Sequence, residues 1–155
     1  AGDLRLSFAD PAWTGNAIPA GQQCPSDGGA GATPPLLVQD IPAEADALIF
    51  RYNDRTFTQM DNGGHGIIGL RIAPGSASVT VSAVPGNTKT LPEGFYVVRL
   101  HKGTQWGHRA GVYLPPCSGG RGNTYDVKVL AVKLTSEDGK DWDELAEGRL
   151  TLGRW

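Results

Sequence analysis

Few side chains in this sequence are able to shuttle protons, hold a metal or attack an electrophile. There are three histidines and two cysteines in 155 residues. His101 and His108 flank a Lys-Gly turn in a spacing that matches no metal motif. With no HExxH segment and no closely paired cysteines, no metal site is expected. Asp141, Asp143, Glu144 and Glu147 read as the solvated face of a helix rather than as the carboxylate pair of a glycosidase. A GxSxG elbow, a phosphate loop and a dinucleotide fingerprint are all missing from the sequence. Neither enzymatic activity nor a cofactor is therefore expected.

The other polar candidates each have a plain structural role. His65, between Gly64 and Gly66, suits a ring that caps a hairpin or satisfies a buried carbonyl. Asp54, after Asn53, suits a turn aspartate that bonds its own backbone. Tyr113 and Tyr125 suit sheet positions with a wet hydroxyl tip. The glycines at 119, 120 and 122 make either a flexible loop or a set of unobstructed backbone N–H groups able to face an anion.

Cys24 and Cys117 lie too far apart in the chain for a zinc motif, which leaves a disulfide or two buried thiols. The start at Ala1-Gly2-Asp3, with Met60 the one methionine, fits what remains after a signal peptide is cut. An exported protein, periplasmic or secreted, is expected, and that setting favours the disulfide. The bond would join two stretches of small and turn-forming residues, 22–35 and 114–124.

These residues must be positioned by strands. The 22 glycines and 11 prolines interrupt helices, and short alternating stretches at 4–8, 48–52, 67–72, 79–84, 95–100 and 125–134 predict strands. One helical window is expected at 141–147, where Trp142, Leu145 and Ala146 fall at i, i+3 and i+4 and Gly148 follows. A last strand at 150–155 completes a mainly β sandwich, a single domain over 1–155 with one short C-terminal helix. Lys and Arg number 14 against 16 acids, so no cationic excess is available for nucleic acid. No apolar run is long enough for a transmembrane segment.

The order of motifs resembles the phosphatidylethanolamine-binding protein family, in its bacterial, Raf-kinase-inhibitor-like branch. The matching residues are Ile18-Pro19, Cys24, Asp27-Gly28 and Thr33-Pro34-Pro35-Leu36, then the strand ending at Asp54, and His65 ahead of Ile67 and Ile68. They continue with Leu91-Pro92-Glu93-Gly94, Gln105-Trp106-Gly107, Gly111, Tyr113, Pro116-Cys117 and Tyr125-Asp126-Val127. Glu144-Leu145-Ala146-Glu147-Gly148 and Leu152-Gly153-Arg154-Trp155 resemble the family's terminal helix and strand.

The resemblance implies a Greek-key β-sandwich with a small pocket for an anion, either phosphate or a phospholipid head group. The ligand-binding residues would be Asp54, His65, Gly111, Tyr113, Pro116, Asn123 and Tyr125. His65 would donate a ring N–H to the anion, while Asp54 accepts from the other nitrogen and favours the imidazolium. Arg51 would add a cation if it turned toward the pocket. The chain departs from the family at Tyr52, where an aspartate is usual, and at Asn123-Thr124, where His-Arg is usual. A neutral donor in place of a charged one lowers affinity by roughly 1 kcal/mol, so weak anion binding is expected. Two alternatives are an inhibitor of a protease or kinase acting through 24–35, and a carbohydrate-binding module using Trp13, Trp106 and Trp155.

Overall fold

The computed structural model describes residues 2–155, so the reading of Ala1 as a cleavage product lies outside the described residues. The strands are β1 (Gly2–Asp3), β2 (Arg5–Phe8), β3 (Leu36–Gln39), β4 (Ala47–Asp54), β5 (Ile67–Arg71), β6 (Ser78–Val81), β7 (Phe95–Arg99), β8 (Thr124–Leu134) and β9 (Trp142–Arg154). Short 3-10 turns occupy Pro25–Asp27, Thr58–Met60 and Gly103–Trp106. A six-stranded sheet in the order β1-β9-β8-β4-β5-β7 faces a three-stranded sheet in the order β2-β3-β6. The expected mainly β, two-sheet architecture is present.

β4 pairs with both β5 and β8 and is covered on both faces, which explains why residues 47–50 are all apolar. Leu48, Phe50 and Tyr52 face the main core with Val127 and Val129 of β8 and Leu36 and Val38 of β3. Ala47 and Ile49 face outward, beneath Tyr96, Val98, Leu134 and Trp142. Strand alternation carries this pattern to the end of β4, with Asp54 inward and Arg51 and Asn53 outward.

The expected helix at 141–147 is instead the first half of β9. Val132 pairs with Glu144 and Ala131 with Ala146, so Leu145 is an extra residue bulged out of the ladder. The bulge lets Leu145 and Ala146 both serve the main core while Trp142 covers the outer cluster. One inserted residue thus converts a period of two into the i, i+3, i+4 spacing of a helix. Pairing with the 11-residue β8 supplies the backbone bonds that a short isolated helix lacks.

Candidate functional site

Asp54 ends β4 and turns the chain. Its Oδ1 accepts the backbone N–H groups of Thr56 (2.9 Å) and Phe57 (3.0 Å), and its Oδ2 accepts the side-chain amide of Asn123 (2.8 Å). The turn is therefore an Asx turn with a long-range tether, and Asp54 is buried. The chain returns through Gly64, His65 and Gly66. The His65 N–H donates to Tyr52 O at 3.1 Å and the Tyr52 N–H to Gly66 O at 3.0 Å.

The glycines beside His65 exist for close approach. Gly66 has φ +114°, and a Cβ there would collide with the Val112 carbonyl oxygen. A Cβ on Gly64 would strike the Met60 backbone. His65 is thereby pressed against segment 112–114, where its Nδ1 lies 2.6 Å from Leu114 O. A carbonyl only accepts, so Nδ1 carries the hydrogen and Nε2 is left with its lone pair. Burial lowers the His65 pKa from 6.5 to about 4, against the smaller raising effects of the Leu114 bond and the Asp54 charge. The ring is neutral near pH 7. The expected imidazolium held by Asp54 is not formed, because Asp54 bonds Asn123 and its own turn while burial penalises the cation.

His65 and Tyr125 meet edge to face, with centroids 5.3 Å apart. The Tyr125 hydroxyl accepts the Cys117 N–H at 3.3 Å, and burial with the nearby Asp54 charge raises its pKa. In front of this pair opens a cavity of about 550 Å³, lined among others by Asp54, His65, Ser118, Arg121, Asn123 and Tyr125. Behind it, Tyr52, Tyr113 and Pro116 enclose only about 10 Å³, room for a water at most. Tyr113 is fully buried and packs edge to face on Tyr52 at 4.9 Å.

The residues singled out in sequence thus separate. Asp54, His65, Asn123 and Tyr125 share the open cavity, whereas Tyr113 and Pro116 line the small one behind it. Gly111 lines neither and lies against the backbone of Asn87 and Thr88, where a Cβ would come within 2.6 Å. Arg51 projects from the opposite face of β4. The proposed glycine nest is partly spent, since the Gly119 N–H donates to Asp27 Oδ2 (2.8 Å) and the Arg121 N–H to Ser118 Oγ (3.2 Å).

Cys24 and Cys117 form a disulfide with Cα atoms 5.3 Å apart, supported by the Cys24 N–H donating to Pro116 O at 3.0 Å. The Cys117 sulfur reaches the cavity wall, 3.7 Å from His108 Nε2. The segment 24–35 is tethered by this bond at Cys24 and by Thr33, whose Oγ accepts the Val84 N–H at 2.8 Å, while Pro25, Ser26, Gly28 and Ala30 between them are exposed. Trp13 is buried and stacked on Phe8, and Trp155 Nε1 donates to Asp27 at 2.8 Å. Only Trp106 of the three aromatics suggested for carbohydrate is exposed.

The residues that the sequence did not single out are Arg121, the cation of the wall, and Phe57, which forms an exposed rim with Trp106 at a centroid distance of 5.3 Å. Arg121 was legible as the one charge inside a glycine run. Phe57 carried no signal beyond its nearness to Asp54.

No family model matches the sequence, and no curated protein matches it. Solved structures do. A phosphatidylethanolamine-binding protein homologue from Chlamydia trachomatis aligns over 100% of this chain and 98% of its own, with TM-score 0.59 and 20% identity. Escherichia coli YbcL, described as a member of the mammalian phosphatidylethanolamine-binding protein family, aligns over 99% and 98%, with TM-score 0.61 and 15% identity. The fold is that of the phosphatidylethanolamine-binding proteins. Within this phosphatidylethanolamine-binding-protein fold, Tyr52 puts an aromatic ring where the sequence resemblance expects a carboxylate, and the open cavity lies between His65 and Tyr125, Arg121 and the Phe57–Trp106 rim.

Proposed function

We propose that this chain is a divergent, non-enzymatic member of the phosphatidylethanolamine-binding protein family. Its open cavity takes a small phosphate-bearing ligand, either inorganic phosphate or a phospholipid head group. The observation that supports this most directly is the convergence of β4's end, the His65 turn and the loop to Tyr125 on one cavity of head-group size. Arg121 gives that wall a cation for phosphate oxygens. In the same cavity lining, the neutral His65 has an Nε2 that accepts a hydrogen bond, so a ligand that also carries a donor, such as phosphoethanolamine or a protonated phosphate, is matched better than a fully ionised one. Both Asp54 oxygens and the His65 ring are tethered, which holds the wall of the cavity in one geometry for the ligand. The disulfide accords with export.

Calorimetric titration with phosphoethanolamine, phosphate and acetate tests the proposal. Phosphoethanolamine is expected to bind most tightly, and Arg121→Gln to weaken it by about tenfold. Equal affinity for acetate, or no effect of Arg121→Gln, would falsify it.

A further inference from the structure

The outer face of the six-stranded sheet carries a cationic row that has no part in the cavity. In register across the sheet, Arg149 of β9 pairs with Lys128 of β8, Lys128 with Arg51 of β4, Arg51 with Ile67 of β5, and Ile67 with Arg99 of β7. Register partners project from the same side of a sheet. Ile67 belongs to the outer apolar cluster, which places the whole row on the side away from Asp54 and the cavity.

The cations of this row are unequally matched. Asp126 holds Arg149 at 2.8 Å and Glu147 holds Lys128 at 2.9 Å. Among the described residues no carboxylate lies within 4.0 Å of Arg51 or Arg99. Glu147 feels the Arg51 charge, but its Lys128 bond dominates. Arg99 donates one Nη to Asn62 O at 2.7 Å, and its remaining charge lies near that of Arg51. Arg51 Nε is buried with no hydrogen-bond partner, the one side-chain atom so placed among the described residues. Two like charges on one face with no carboxylate within reach are an unfavourable arrangement that a negative ligand between them would relieve.

We propose that Arg51 and Arg99, over Ile67, form a second anion site that takes an oxyanion of the phosphate class. A tetrahedral oxyanion has enough lone pairs to accept from both guanidinium forks at once. The site is independent of the ligand proposed for the cavity, since the two lie on opposite faces of β4.

Titration of inorganic phosphate at constant ionic strength, with chloride as the balancing salt, tests this by calorimetry and by thermal unfolding. A phosphate monoester such as glycerol phosphate, run in parallel, tells free phosphate from a head group as the source. Phosphate is expected to raise the melting temperature more than chloride does. Arg51→Gln and Arg99→Gln are each expected to weaken this phosphate binding at least tenfold, while Arg121→Gln leaves it intact. Without phosphate, Arg99→Gln is expected to melt higher than the parent, because the repulsion is gone. Phosphate stabilising no more than chloride, or a phosphate effect that survives in both Arg51→Gln and Arg99→Gln, overturns the site. A phosphate effect lost only in Arg121→Gln overturns it too and leaves the cavity proposal standing.

Discussion

His65 and Leu114 hold each other twice: the ring Nδ1–H donates to the Leu114 carbonyl at 2.6 Å, and the Leu114 N–H donates to the His65 carbonyl at 3.1 Å. This double clamp fixes the tautomer and ties the β4–β5 turn to the segment leading to the disulfide. It also makes the ring part of the scaffold, so its protonation state is a stability quantity as well as a binding one.

The first consequence is acid sensitivity. The folded ring stays neutral down to about pH 4, whereas the unfolded ring titrates near 6.5. Between those values the unfolded state binds a proton that the folded state does not, so this contribution is complete above 6.5 and is lost as pH falls toward 4. The loss is about 3 kcal/mol. Urea unfolding of the parent and His65→Gln across this range checks it: the parent is expected to lose stability more steeply, and parallel curves would refute burial of this ring as a source of acid sensitivity.

The disulfide closes a loop with a sequence separation of 93. Opening it is expected to cost about 4 to 5 kcal/mol through the entropy of the unfolded chain. The double substitution Cys24→Ser, Cys117→Ser is expected to lower the denaturation midpoint accordingly, with cavity binding weakened because Cys117 forms part of the wall. Unchanged stability would show that the bond adds nothing to the packing already present.

Gly66→Ala meets two obstacles, a left-handed φ of +114° and the Val112 carbonyl. A cost of about 3 kcal/mol or more is expected, measured by denaturant unfolding. Gly119→Ala is the control: its φ is +70°, but a Cβ there meets nothing within 4 Å, so only the smaller backbone cost applies.

Asp54 and Asn123 are coupled through the 2.8 Å bond between Oδ2 and the amide. Asn123→Ala is expected to cost about 1 kcal/mol, and Asp54→Ala about 2 to 3 kcal/mol because two turn N–H groups lose their acceptor as well. A double-mutant cycle is expected to show an interaction energy of about 1 kcal/mol. Additive losses would mean that the two side chains do not sense each other.

Most strands were legible because one of their faces is buried and the other is wet, as in Val79 and Val81 of β6. β3 was not, since Leu36–Gln39 follows two prolines and is only four residues long. The false helix at 141–147 shows the same limit from the other side: a bulge at Leu145 mimics helical spacing, and only the pairing with β8 distinguishes them. For the site, the motifs that carry the family resemblance pointed to Asp54, His65, Asn123 and Tyr125. They did not reveal that Tyr113 would be sealed behind Tyr52, or that Arg51 would leave the pocket, because a strand's facing depends on where alternation begins.

The chemistry available to this protein is written in its residue types: three histidines, two cysteines, one of those histidines between glycines, and enough Gly and Pro to force a turn-rich β chain. Burial and partners are properties of packing between residues distant in the chain, and they arose only on folding. His65 is neutral because the core excludes water from its ring, and the Arg51 donor is orphaned because register sets that residue between Lys128 and Ile67 rather than beside an acid. Desolvation and cross-strand register have no local sequence signature, so both the charge state of the candidate site and the second cationic surface had to come from the assembled sheets.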